Sequence, residues 1–301
     1  MTGYEVLAVR YGTRIARKSE MYLNYHVYGE PDVELPMDYF FWVVRDGRRT
    51  VIVDCGFGAE AGRRRRRTQL VDPADALRGL GIEPEAVDQL VISHAHYDHI
   101  GNLHRFPAAE VVIARREFEF WTGPYAGREQ FAHSAEADEL ALLAEIAAQG
   151  RLRLVEGSHD LAPGFELAVV GGHTPGQLVA QVASPDGGAV VLAADALHFY
   201  EELERDRPFF AVADLVDMYR GFDLLREMTA DPGRRLVPGH DAAVGERFPG
   251  RLTGLPGGLD DLVVRIAGPA ASTKSAKSTK SAKNTESAAS TESVGIAGEA
   301  T

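Results

Sequence analysis

At 301 residues, with 45% hydrophobic and 25% charged side chains, the chain has room for one large domain or two small ones with a sizeable core. No stretch approaches the ~18 apolar residues that cross a bilayer, and the opening MTGYEVLAVRYGTRIARKSE alternates apolar and polar residues, unlike a signal peptide. A formal net charge of -12 argues against nucleic acid and anionic membrane as partners. The single cysteine, Cys55, excludes an internal disulfide and fits a reducing compartment, so a cytoplasmic location is expected.

Taken in chain order, Tyr4 to Tyr11, Tyr39 to Val44 and Thr50 to Asp54 are rich in Val, Tyr, Phe and Ile and read as strands. The basic run Arg63 to Arg67 is expected to be a solvated loop, with steering or holding of an anionic group as the alternative. A helix is predicted from Asp72 to Leu80, closed by Gly81. Gln89 to Ile92 is a short apolar strand running into SHAHYDH; Val111 to Ala114 is another, and a helix begins at Glu117 to Trp121. Ser134 to Gln149 is the clearest helix, with Ser134 as N-cap and Gly150 as terminator. Arg151 to Val155, Leu167 to Val170, Leu178 to Ala183 and Ala189 to Ala193 read as strands, Val212 to Thr229 as a helix and Arg235 to Val237 as a last strand. Strands arrive in two similar batches, which favours two packed sheets with outer helices over a doubly wound parallel sheet. The domain is predicted to span 1–267. Residues 268–301, in which STKSAK occurs twice, are predicted to be a disordered low-complexity tail, because small polar residues cannot bury enough apolar area to offset ordering entropy.

The chemistry concentrates in Ser93-His94-Ala95-His96-Tyr97-Asp98-His99, directly after an apolar strand. Imidazoles and a carboxylate packed this closely are expensive to bury unless something compensates them, and a divalent metal does. In an extended segment His94 and His96 project to one side, and a turn into helix lets Asp98 and His99 face a second ion. A nonspecific His-rich tract would lack the preceding strand and the ordered spacing. Further candidates sit at strand ends: His173 in GGHTPG, Asp195 after Val190 to Ala194, and His240 in LVPGH.

These residues resemble the metallo-β-lactamase superfamily, whose HxHxDH motif is similar to His94, His96, Asp98 and His99 and whose later ligands match His173, Asp195 and His240. The resemblance implies an α/β fold, an αββα four-layer sandwich, with the metals at one edge of the sheets. It implies two divalent ions, with zinc as the expected metal. His94, His96 and His173 would hold one ion and Asp98, His99 and His240 the other, Asp195 bridging and Asp54 supporting the ligands from behind. Two ions roughly 3.5–4 Å apart lower the pKa of a bridging water, so no protein nucleophile is needed and Cys55 is expected to be a small core residue.

Within the superfamily, Pro36 to Trp42, Gly172 to Gln177, Asp195 to Tyr200 and Pro238 to Asp241 resemble the N-acyl homoserine lactonase branch. The implied reaction is opening of a lactone ring to the hydroxy acid, with Asp98, His198 and Tyr200 as candidate catalytic residues. Lactonases of this branch carry a tyrosine three residues after the bridging aspartate; here that position is His198, with Tyr200 two further on. The alternative is hydrolysis of another ester, thioester or phosphodiester at the same site. A metal-stabilised scaffold is disfavoured because structural zinc prefers closed, Cys-rich four-ligand sites. The expected partner is a small-molecule lactone or ester, with no nucleic acid and no membrane, and a homodimer left open. Tyr22, His26, Tyr28, Met37, Tyr39, Phe40 and Trp42 are divided between a substrate channel and core. Phe118, Phe120 and Trp121 invite the same division. His104 and His133 are set aside as surface or supporting residues, and His159 as a turn residue.

Overall fold

The computed structural model describes residues 3–268, so the expectation of a disordered tail falls, apart from Gly268, outside the described residues. The first sheet collects β1 (Glu5–Arg17), β2 (Glu34–Arg45), β3 (Thr50–Val53), β4 (Thr68–Gln69), β5 (Gln89–Val91), β6 (Glu110–Ala114) and β7 (Leu152–Val155). The second is built from β8 (Ser158–Ala162), β9 (Phe165–Val169), β10 (Leu178–Ala183), β11 (Ala189–Ala194) and β12 (Arg234–Pro238). The chain then returns to the first sheet with β13 (Gly250–Arg251) and β14 (Val263–Ala267). The first sheet runs β13-β14-β1-β2-β3-β5-β6-β7, with β4 paired to β1, and the second runs β12-β11-β10-β9-β8.

Side-chain alternation on the strands builds the layers. On β2, Phe40, Trp42 and Val44 join Val6, Val51, Val53 and Val91 in a core shared with Phe165, Leu167, Leu178, Val190 and Leu192 of the second sheet. The opposite face of the same strands, with Tyr39, Phe41, Val43, Ile52 and Leu90, packs on Leu77, Leu143 and Ile146 of the outer helices. On the far side, Val179, Val191 and Ala193 meet Met218, Phe222 and Leu225 of the helix Leu215–Met228. Helix, sheet, sheet and helix give the expected αββα sandwich. No helix among the described residues is long and apolar enough to cross a membrane.

Local differences from the expectations have local causes. The helix predicted from Ser134 begins at Ala137, because Ser134 Oγ donates to Phe131 O instead of capping. The helix predicted from Val212 starts at Leu215, where the Asp214 side chain accepts from the Val216 and Asp217 amides. His159 lies in strand β8 and not in a turn, its neighbours pairing with β9. Cys55 is buried, as expected of a core residue.

The topology places the site. Strands β3, β5 and β6 run parallel, so Asp54 and the Ser93-to-His99 segment leave the C-terminal ends of adjacent strands. In the second sheet β11 and β12 are also parallel, and Asp195 and His240 follow their C-terminal ends. Leu178 N donates to Ser93 O at 2.9 Å and Asp38 N to His240 O at 3.0 Å, tying the two sheets together at this edge.

Candidate metal centre

His94, His96, Asp98, His99, His173, Asp195 and His240 converge on one point, and all are buried. Their ligand atoms fall into groups within 4.8 Å: His94 with His96 and His173, Asp98 with His99 and His240, and His94 with His99 and Asp195. The Asp195 carboxylate divides between the two sides. Oδ2 lies 3.4 Å from His173 Nε2 and 3.7 Å from His94 Nε2, while Oδ1 lies 3.3 Å from His99 Nε2 and 3.1 Å from His240 Nε2.

The imidazoles are oriented from behind. His173 Nδ1 donates to Ala211 O at 2.8 Å and His240 Nδ1 to Asp38 O at 2.8 Å, which leaves each Nε2 lone pair facing the centre. His99 Nδ1 lies 2.7 Å from Asp54 Oδ2. Asp54, held at a positive φ of 60°, also accepts from Ser93 N and Ser93 Oγ, both at 2.7 Å. This backbone conformation is unusual for a non-glycine residue and is secured here by those bonds. Gly239 is required by proximity: a Cβ there would stand 2.6 Å from Asp195 Oδ1. Gly172, at φ 90°, turns the chain into His173, and a Cβ would meet the Met218 backbone at 2.6 Å.

Burial pushes the His94 and His96 pKa values well down, and that of His173 to about 3, with neighbouring imidazoles adding to the effect. Neutral imidazole is the form that binds metal. At His99 burial also disfavours the cation, but Asp195, Asp54 and Asp98 outweigh it and raise the pKa. Burial would raise the Asp195 carboxyl, yet the surrounding imidazoles, His240 first, hold it well below the usual carboxylate range.

The donor set fits divalent metal. His94 Nε2, His99 Nε2, His240 Nε2 and Asp195 Oδ1 are buried, face one another and make no hydrogen bond. Unsatisfied buried groups are costly, and nitrogen and oxygen donors in two overlapping groups suit a pair of such ions.

The remaining candidates stand elsewhere. Tyr200 does not reach the centre: its hydroxyl donates to Leu236 O at 3.0 Å and its ring lies under Arg247, 3.6 Å from the guanidinium. Its backbone sits in the helix Tyr200–Arg205, which turns the side chain into the core between the sheets. This corrects its expected catalytic role. His198 is near the ligands but sealed, at 0% exposure and stacked 3.5 Å from the Phe209 ring. Its Nε2 lies 3.0 Å from Asp195 Oδ2 and its Nδ1 3.4 Å from Glu202 Oε1. Burial lowers the His198 pKa, but Asp195 and Glu202 overcome this and bring it up to about 9. A donor to substrate must face the cavity, and His198 does not.

The open cavity over the centre is walled by Met21, Met37, Tyr39, Tyr97, Phe209 and Phe210, with Arg14, Arg65 and Arg67 on one side. Met37 and Tyr39 therefore serve the cavity while Phe40 and Trp42 serve the core. His133 lines the cavity, and His104 is exposed away from it. The arginine run is not one solvated loop: Arg63, Arg64 and Arg66 are exposed, but Arg65 and Arg67 are half-buried in the cavity wall.

Two buried glutamates escaped the sequence reading. Glu117 accepts from Ala95 N at 2.9 Å, Gly176 N at 2.8 Å and Trp121 Nε1 at 2.7 Å, pinning the loops that carry His96 and His173. Glu202 accepts from the His198 and Phe199 amides, both at 2.9 Å. Neither carries a clear sequence signal: Glu202 stands three residues after the N-cap as in a capping box, but the N-cap is Phe199 and not Ser or Thr, and the loop partners of Glu117 are distant in the chain.

The family model of the metallo-beta-lactamase superfamily matches residues 37–240. An N-acyl homoserine lactonase of Bacillus sp is 29% identical over 133 residues, covering 44% of this chain and 48% of that protein. The N-acyl homoserine lactonase AttM of Azorhizobium caulinodans is 32% identical over 181 residues, covering 55% and 62% respectively. The chain thus spans about half the length of the first relative in matched residues. Among solved structures, a quorum-quenching N-acyl homoserine lactone lactonase superposes with a TM-score of 0.69 at 21% identity, covering 82% of this chain and 96% of that one. An N-acyl homoserine lactone hydrolase with N-hexanoyl-L-homoserine at its catalytic metal centre gives 0.68 at 20% identity, covering 82% and 97%. With the family match extending over more than half its length and the four-layer sandwich beneath it, this chain belongs to the metallo-β-lactamase superfamily.

Proposed function

We propose that this protein is a metal-dependent lactonase that holds two zinc ions and opens a lactone ring to the hydroxy acid. N-acyl homoserine lactones, the compounds named for its relatives, are the first substrates to test. The observation that carries the reading is the division of Asp195 between His94 and His173 on one side and His99 and His240 on the other, with the buried Nε2 atoms of His94, His99 and His240 making no hydrogen bond and that of His173 meeting only His96 Nδ1, at 2.9 Å.

When bound, the ions supply Lewis acidity toward a carbonyl oxygen and an activated water near neutral pH. The chain's own residues arrange the rest. Asp54 fixes the His99 ring through Nδ1, and the Ala211 and Asp38 carbonyls fix His173 and His240. Glu117 holds the His96 and His173 loops in register. His198 acts on Asp195, not on substrate: its contact at 3.0 Å holds Oδ2 in place. Met21, Met37, Phe209 and Phe210 offer an apolar seat beside the ligands and exclude water from the ring.

The test is acid release from zinc-loaded protein offered homoserine lactones of graded chain length, simple γ-lactones and an aryl ester. Lactone opening with negligible ester turnover is the expected result. Turnover of the aryl ester alone would move the substrate to the other-ester reading, and acid from none of them would overturn the hydrolase assignment.

A further inference from the structure

Among the described residues, Arg67 is the arginine on the cavity wall that has no counter-ion. Of the other arginines in the run, Arg63 and Arg66 face solvent away from the cavity, while Arg64 pairs with Glu60 at 2.7 Å and Glu136 at 2.6 Å, and Arg65 with Glu136 at 3.0 Å. Arg14, on the same wall, pairs with Glu20 at 2.8 Å. Arg67, half-buried, instead donates Nε to Tyr97 Oη at 3.1 Å and one terminal nitrogen to Arg65 O at 2.6 Å. Among the described residues no carboxylate pairs with it, and its other terminal nitrogen makes no hydrogen bond. Asp98 is an acid facing it, but its carboxylate oxygens turn to His99 Nε2 at 3.8 Å and His240 Nε2 at 3.9 Å.

A half-buried guanidinium without a partner is a cost that a bound anion removes. Two of its donors are already fixed by Tyr97 and Arg65, so the fork is held in one orientation and little ordering entropy remains to be lost on binding. Arg65 packs over the Tyr97 ring at 4.1 Å, so the hydroxyl that orients Arg67 is itself held. With Arg14 and Arg65 paired to Glu20 and Glu136, Arg67 is the arginine of this cavity whose positive charge is left for an anion to meet.

We propose that Arg67 is the anion-binding subsite of this cavity, so that the preferred lactone carries a carboxylate away from the ring ester. The inference rests on the lactonase reading for its reaction, but not for its binding. Arg67 is a specificity residue for the group not attacked, in the wall of the cavity that the ligands Asp98, Asp195 and His240 also line.

The test compares a γ-lactone bearing a ring carboxylate with the same lactone as its carboxamide, on the zinc-loaded full chain. Binding of the matching lactam acid and lactam amide, which are not opened, is measured by calorimetry. The acid should be favoured at least tenfold in both kcat/KM and Kd, and Arg67→Gln should cut that ratio by about 10- to 100-fold, toward one. Arg67→Lys, which keeps the charge but not the fork, should retain part of the preference and guards against a folding defect in the glutamine variant. Equal binding of acid and amide to the native protein would overturn the proposal. So would a preference that survives in Arg67→Gln, because the acid would then be bound by the metal centre alone. If the lactam acid binds through Arg67 while neither lactone is opened, the subsite stands and the lactonase reading falls. If both lactones are opened equally, the reverse holds.

Discussion

Asp195 joins the two ligand groups through different oxygens, and among the described residues no other carboxylate contacts both groups. Asp195→Ala is therefore expected to lower the metal content from two ions per chain to one or fewer and to cut lactone turnover by at least 100-fold; metal analysis of the purified variant checks the first and acid release the second. Glu117 shows the other kind of dependence. Truncation to alanine leaves three buried donors, Ala95 N, Gly176 N and Trp121 Nε1, without an acceptor. At ~1–3 kcal/mol for each such loss, Glu117→Ala should destabilise the fold by about 3 kcal/mol or more, measured by urea unfolding. The ligand residues could be read from the chain because histidines and aspartates at strand ends are locally unusual. Glu117 could not, since a single glutamate in a helical segment reads as a solvated face until the fold buries it.

The outer helix Ala137–Ala148 carries a carboxyl turned inward. Glu139 is largely buried with Oε2 unpartnered, and burial, aided by Glu136 and Asp98, pushes its pKa from 4.5 to about 8. A carboxyl raised in this way binds its proton more tightly in the folded state. Its contribution is fully present below pH 4.5 and is lost as the pH climbs toward 8. Glu139→Gln should match the native protein in thermal midpoint near pH 4.5 and exceed it increasingly up to pH 8, by about 2–4 °C for each kcal/mol. A constant offset across that range, in differential scanning fluorimetry, would show that the carboxyl does not titrate there. Most strands were legible, because Val- and Ile-rich runs announce themselves; β4 and β13, two residues each, β8, with polar Ser158, His159 and Asp160, and β14 were not. Starts were less so: Ser134 and Val212 looked like helix entrances, yet capping is settled by which side chain reaches the free amides, and that is Asp214 in the second case. Tyr200 is the clearest displacement, since it opens a helix after the extended Phe199 and points to the core, while His198, in the bend before that helix, faces Asp195.

At the scale of the molecule, strand batches and ligand spacing carried the fold class, and the two sheets join where parallel strands end. What the chain could not disclose alone was the return of β14 to pair with β1 and the placing of Arg65 and Arg67 at the cavity while Arg63 and Arg64 face solvent. Both depend on contacts between segments far apart in sequence. The described structure closes with β14 at Ala267. Removal of residues 269–301 is thus expected to leave lactone turnover and thermal midpoint unchanged, and a clear loss in either would assign the tail a role. The central claim is that the converged histidines and aspartates hold a metal pair needed for lactone opening. The most direct measurement is zinc titration into chelator-stripped protein while acid release from a lactone is followed. Turnover that is absent at the start, rises with added zinc and levels off at two ions per chain is the predicted result; full turnover in the stripped protein, or none at saturating zinc, would contradict it.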